Sequence, residues 1–174
     1  MVGTLILLTS QAVVASPDGQ PYRGQQDRAI KAMDVERLDG LRNGAGLGYA
    51  KPAELNGWPG PLHALELADE LGLSDRQRQA LSALRQSMLA KARPLGNALI
   101  DAELQLDELF RSGEPSPGKI AAATARSATL EGELRAVHLR AHLEAKPLLN
   151  HHQLRRYQQS RGYGRAHQRS DHGQ

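Results

Sequence analysis

From Leu81 to Phe110 the apolar residues Leu81, Leu84, Met88, Leu95, Leu99, Leu106 and Phe110 recur at intervals of three, four and seven. That spacing lines one stripe of an α-helix and predicts a rod of roughly 50 Å at 1.5 Å per residue. Ser74 and Gln77 stand at its start. A Ser three residues before a Gln can exchange side-chain and backbone hydrogen bonds with it, which makes a capping box. Pro94 lies inside the pattern and predicts a kink, because it lacks an N–H. A second stripe follows: Ile120, Ala123, Leu130, Leu134, Val137 and Ala141. Between the two lies a turn from Ser112 to Gly118, with Ser116 as cap and Pro117 in the first helical position. Pro147 ends or bends the second helix. Asn150 and Gln153 then repeat the capping arrangement ahead of a short helix through Leu154 and Tyr157 to about Ser160.

Two long helices joined by so short a turn must return antiparallel. Ahead of them, Ile30, Met33, Leu38 and Leu41 predict a helix over about Asp27–Leu41, broken by the glycines of residues 43–48. Ala53–Leu55 adds a turn, and Gly57-Trp58-Pro59-Gly60-Pro61 forms a rigid loop. A helix then begins at Pro61, carries Leu62, Leu65, Leu67, Ala68 and Leu71, and stops at Gly72. No strand-period segment of useful length occurs. The expected fold is all-α: a long antiparallel helical hairpin with shorter flanking helices.

Composition sharpens this picture. One Phe, one Trp and four Tyr leave a core of Leu and Ala, which favours helix. A core so thin predicts a partner subunit, most simply a second copy. Cysteine is absent, which excludes disulfides and thiolate sites. The net charge of +3 is mild. Leu5-Ile6-Leu7-Leu8 and Ala12-Val13-Val14-Ala15 form a short apolar stretch with small residues at the positions of a signal-peptidase site. This predicts a secretory signal over 1–15, cleaved after Ala15, although no Lys or Arg precedes the stretch. The expected organisation is a signal segment at 1–15, a flexible N-terminal segment with a short helix at 16–58, a helical hairpin domain at 59–160 and a disordered basic tail at 161–174.

Candidate chemistry rests on histidine. His138 and His142 are four apart on one helical face, with Cβ atoms about 6 Å apart. Two imidazoles suit Zn, Cu, Ni or Co when no thiolate is present. His63, with Glu66 three residues on, precedes Gly72 and can lie against the end of the helix that carries the pair. Together His63, Glu66, His138 and His142 would make a nitrogen and oxygen site. His151 and His152 read as solvent-facing residues of a first helical turn, and His167 and His172 lie in the basic tail.

Both capping boxes also carry a family signal. Leu73-Ser74-Asp75-Arg76-Gln77 and Leu149-Asn150-His151-His152-Gln153 resemble the repeated L-T-x-x-Q motif of the periplasmic Spy/CpxP family, with Ser74 and Asn150 where Thr is usual. The resemblance covers about residues 59–163. Pro61-Leu62-His63-Ala64-Leu65-Glu66-Leu67 and His138-Leu139-Arg140-Ala141-His142 are similar to segments of its heavy-metal-resistance and heavy-metal-sensor branch. The resemblance implies a four-helix hooked hairpin, often a homodimer, with His, carboxylate or thioether metal ligands near the helix ends. It implies a periplasmic stress-response protein that senses or sequesters a divalent transition metal. The alternative it implies is an ATP-independent holdase, whose surface would mix Leu and Met with Arg85, Lys91, Arg93, Arg126, Arg135 and Arg140. Expected partners are a membrane-bound sensor or unfolded client proteins.

Enzyme classes are disfavoured. The chain has no Gly-rich phosphate loop, no H-E-x-x-H, no G-x-S-x-G and no paired nucleophile and base, and it calls for no organic cofactor. Nucleic acid is not expected either: the C-terminal arginines are interleaved with few aromatics beyond Tyr157 and Tyr163.

Overall fold

The computed structural model of the chain describes residues 21–163. They form six α-helices: α1 (Val35–Asn43), α2 (Lys51–Glu54), α3 (Pro61–Glu66), α4 (Asp75–Arg111), α5 (Pro117–Ala145) and α6 (His151–Ser160), with a 3-10 turn at Lys146–Leu148. No strand occurs among the described residues. The signal segment expected at 1–15, and residues 164–174 of the expected tail with His167 and His172, lie outside them.

Helix α4 runs 37 residues without a break. Ser74 stands extended at its head, and its Oγ accepts from the Gln77 amide at 3.3 Å while Gln77 Oε1 accepts from the Ser74 amide at 3.0 Å. Pro94 does not end the helix; it sits on the exposed face. Gly113, at φ +74°, turns the chain in a conformation that costs a side chain little only when there is none. Ser116 then caps α5 through the Lys119 amide at 3.4 Å. Leu81 shares a core cluster with Ala145 and Leu149, whereas Leu99 and Ile100 share another with Leu134. Later residues of α4 thus meet earlier residues of α5, and the pair is antiparallel.

The N-terminal segment departs from its sequence reading. Helix α1 starts at Val35, not near Asp27, because Asp34 Oδ1 accepts from the Arg37 amide at 2.8 Å and sets the first turn there. Ile30 and Met33 lie in turns before it and are buried all the same. From Ile30 onward the segment read as flexible packs on the hairpin. Ile30, Met33, Leu41 and Tyr49 close one core with Ala92, Leu99, Ile100 and Leu134. Gly and polar residues dominate its composition, but the few large apolar side chains all face inward, and contact with α4 supplies the stability that propensity lacks. Helix α3 is shorter than expected as well: it ends at Glu66, and turns lead to Gly72 at φ +60°. A second core forms under α6, where Tyr157 joins Ala64, Leu71, Leu73, Leu81 and Ala145.

Candidate functional site

The two capping boxes meet. Gln77 Nε2 donates to Gln153 Oε1 at 2.9 Å, and Gln153 Nε2 donates back to Gln77 Oε1 at 3.1 Å. Each amide nitrogen also reaches a carbonyl two residues before the other helix's cap: Leu148 for Gln77, at 2.8 Å, and Gly72 for Gln153, at 3.4 Å. Each Oε1 still accepts from its own cap amide, Ser74 or Asn150. One local motif, used twice, thus clasps the starts of α4 and α6 with pseudo-twofold symmetry. Every donor and acceptor of both side chains is used, which buried amides require. Gln153→Ala removes a cap bond and unpairs Gln77 in a site only 4% exposed. The expected loss is about 2 kcal/mol, read as a urea midpoint shift at constant slope. A loss under about 0.5 kcal/mol would show that the clasp is ornamental.

A second polar centre surrounds Glu54, the last residue of α2. Its Oε1 accepts from the Tyr157 hydroxyl at 2.6 Å and from Arg161 Nε at 3.2 Å. Its Oε2 is buried with no hydrogen-bond partner and lies 3.7 Å from His142 Nδ1. That Nδ1 is 2.7 Å from the Trp58 carbonyl, which can only accept, so it carries the proton and Nε2 carries the lone pair. Burial, and then the hydrogen bond to Glu54, push the Tyr157 hydroxyl far up, so it remains a donor. Gly60 lies against the same imidazole: a Cβ there would come within 2.8 Å of His142 Cε1 and Nε2. The loop 57–60 is therefore held by α5 and α6 together.

His138 sits one turn before His142 but faces another neighbour. It stacks on Tyr49, with ring centroids 5.9 Å apart, and is 3% exposed with Nε2 unpartnered. Tyr49 Oη donates to Glu131 Oε1 at 3.1 Å, which also accepts from Arg37 at 2.7 Å. Burial, and then the neighbouring His142, lower the proton affinity of His138 below its ordinary value of 6.5. Between the lowered folded value and 6.5 the unfolded chain binds more protons, so stability falls as pH drops through that window. Each unit of depression corresponds to about 1.4 kcal/mol. His138→Phe, which keeps a stacking ring and cannot titrate, is expected to flatten the pH dependence of the urea midpoint between pH 7 and 5. An unchanged slope would assign the effect to other groups.

His63 and Glu66 pair with each other on the surface, Nδ1 to Oε2 at 2.7 Å. The four residues anticipated as one ligand set are thus divided among three settings. Among the described residues no three histidine or carboxylate side chains are grouped so as to hold a metal ion. Glu54, Tyr157 and Arg161 were not singled out as a centre by sequence reasoning. Their only signal was a Glu ahead of a Gly-Trp-Pro-Gly loop, which carries no spacing rule toward residues more than 100 positions away.

Large apolar side chains remain uncovered in two places. Leu143 is 57% exposed beside Pro52, Ala53, Trp58 and Leu139, and Phe110 is 59% exposed at the hairpin tip. Near the tip, Leu109, Ala122 and Ala123 line a shallow depression with Lys119 and Arg126. Lys91 and Arg140 flank Leu84, Met88 and Val137 in a narrow cleft between α4 and α5. Comparison of the chain with family models, with curated proteins and with solved structures finds no match.

Proposed function

We propose that this chain is an exported, non-enzymatic binding protein that holds unfolding clients without ATP, in the manner of the Spy/CpxP family. The observation that carries the reading is the pairing of exposed apolar side chains with cations along the hairpin, at Leu109, Phe110, Lys119 and Arg126 near the tip and at Met88, Lys91 and Arg140 in the cleft. Unfolded chains present apolar segments and carboxylates together, and such a surface suits both. The reading includes cleavage after Ala15, a periplasmic location and pairing of two copies through the uncovered Leu and Trp58 side chains of α2 and α5. Its test is suppression of light scattering from a thermally unfolding client. Substoichiometric to equimolar protein is expected to suppress it, and Phe110→Ser/Leu109→Ser to weaken it several-fold with the helical circular dichroism unchanged. No suppression at any ratio would sink the reading.

A second reading, binding of a divalent transition metal, is favoured by one specific feature. The Trp58 carbonyl fixes the tautomer of His142 so that Nε2 presents its lone pair, the second-shell arrangement that metal-ligating imidazoles use. His63, Glu66 and His138 would have to move to complete the set. Calorimetric titration with Zn, Cu, Ni or Co, comparing wild type with His142→Ala and His63→Ala, decides it: heat that is identical in all three removes the metal.

A further inference from the structure

The charge of this chain is unevenly placed. It has 22 Lys and Arg against 19 Asp and Glu. Residues 149–174 hold Arg155, Arg156, Arg161, Arg165 and Arg169 with one acid, Asp171, for a net of +4. That leaves 17 basic and 18 acidic residues, a net of −1, in residues 1–148. The whole positive balance therefore resides in the last 26 residues.

Helix α6 gives the first part of this segment a definite face. Gln153 and Tyr157 are buried, held by the glutamine clasp and by Glu54, so the helix is fixed to the body. On the other side His152, Arg155, Arg156 and Gln159 are exposed and line one shallow depression. Arg37, Arg42, Arg78, Arg111 and Arg161 each have a carboxylate within 4 Å. Among the described residues Arg155 and Arg156 have neither an ion pair nor a side-chain hydrogen bond. Two adjacent guanidinium groups on a fixed helix, uncommitted within the protein, match the bidentate geometry of phosphate oxygens.

We propose that the outer face of α6, with the arginines that follow it in the sequence, docks on the phosphate groups of an anionic phospholipid bilayer. Two observations favour a bilayer over a nucleic acid. Tyr157, the one aromatic of α6, is buried, so the exposed face offers no ring on which a base could stack. The face carries no exposed large apolar side chain either, so the contact is electrostatic and peripheral, without insertion. Such binding depends on anionic lipid and weakens with salt. It would hold the hairpin of the proposed holdase at a membrane surface, but it stands without that reading.

The test is co-sedimentation of the full chain with phosphatidylcholine vesicles, with and without phosphatidylglycerol. Binding is expected only with phosphatidylglycerol, reversed by high salt. Arg155→Gln/Arg156→Gln, with its circular dichroism unchanged, is expected to lower the partition coefficient about 30-fold. The comparison is made within the full chain, so any membrane affinity of the apolar residues near Met1 is common to both proteins. Equal binding of wild type and variant would overturn the proposal, as would equal binding to both kinds of vesicle. Release by inorganic phosphate beyond that by chloride of matched ionic strength would reassign the arginines to a single-ion site. Stronger retention by a single-stranded oligonucleotide than by the anionic vesicles would reassign them to nucleic acid.

Discussion

Glu54→Ala is expected to lower the unfolding free energy by about 3–4 kcal/mol. The carboxylate is 8% exposed and joins the end of α2 to both Tyr157 of α6 and Arg161 beyond it. Truncating it strands a hydroxyl that is itself 1% exposed and unpairs a guanidinium that lies partly in the interior. Removing one member of a buried pair costs far more than the pair contributes net, because the survivor stays desolvated without its partner. Tyr157→Phe separates the parts. It removes the donor and leaves Glu54 its arginine, so about 1–2 kcal/mol is expected. The double variant should lose clearly less than the sum of the two single losses, because the residues share one hydrogen bond. Urea denaturation of the three variants reads all these quantities. Additive losses, or a loss below about 1 kcal/mol for Glu54→Ala, would show that loop 52–60 is held by apolar contact alone.

Gly96→Ala is the second large effect, and its sign runs against helix propensity. Inside a helix Ala is favoured over Gly by about 1 kcal/mol. At position 96, however, an added Cβ would lie 2.2 Å from the Leu41 carbonyl oxygen and 2.9 Å from its carbon. Both are backbone atoms of α1, so no side chain can swing aside; α1 must lift from α4. Overpacking of this kind costs about 1–3 kcal/mol, occasionally more, and outweighs the propensity gain. Lifting α1 would also loosen Leu41, which is 1% exposed in the same core as Tyr49 and Leu99. We expect a net loss of about 2 kcal/mol, with amide exchange faster across residues 30–50 than across α4 and α5. Gly132 on α5 is the control. Nothing lies within 4 Å of its would-be Cβ, so Gly132→Ala should stabilise by about 0.5–1 kcal/mol. Destabilisation at both positions, or at neither, would contradict the close approach of α1.

The hairpin was legible before any coordinates because its rules are local. Stripes at helical spacing fixed α4 and α5, and a five-residue link between Ser112 and Ser116 left them only one way to pack. Each capping box also declared itself within four residues: Ser74 with Gln77, and Asn150 with Gln153. That the two glutamines bond to each other was not legible, because 76 residues separate them and no local rule spans that gap. The N-terminal segment misled for a related reason. Its glycines argue for a loop, yet Leu41, Tyr49 and Glu54 are buried by residues of α4, α5 and α6 that their own neighbourhood does not announce.

Histidine placement shows the same division. Spacing placed His138 and His142 on one helix, and both are there, one turn apart on α5. What each imidazole meets depends on the chain that crosses it: Tyr49 for the first, Trp58 and Gly60 for the second. The sequence by itself determined which stretches are helical, where α4, α5 and α6 begin and that α4 and α5 return on each other, because backbone hydrogen bonding, capping and side-chain periodicity act over a few residues. Only the tertiary structure decided that Glu54 becomes a buried anchor, that Gly96 is a crossing point and that the four expected ligands stand apart. Those outcomes depend on which surfaces exclude water from one another, and burial is a property of the assembled chain.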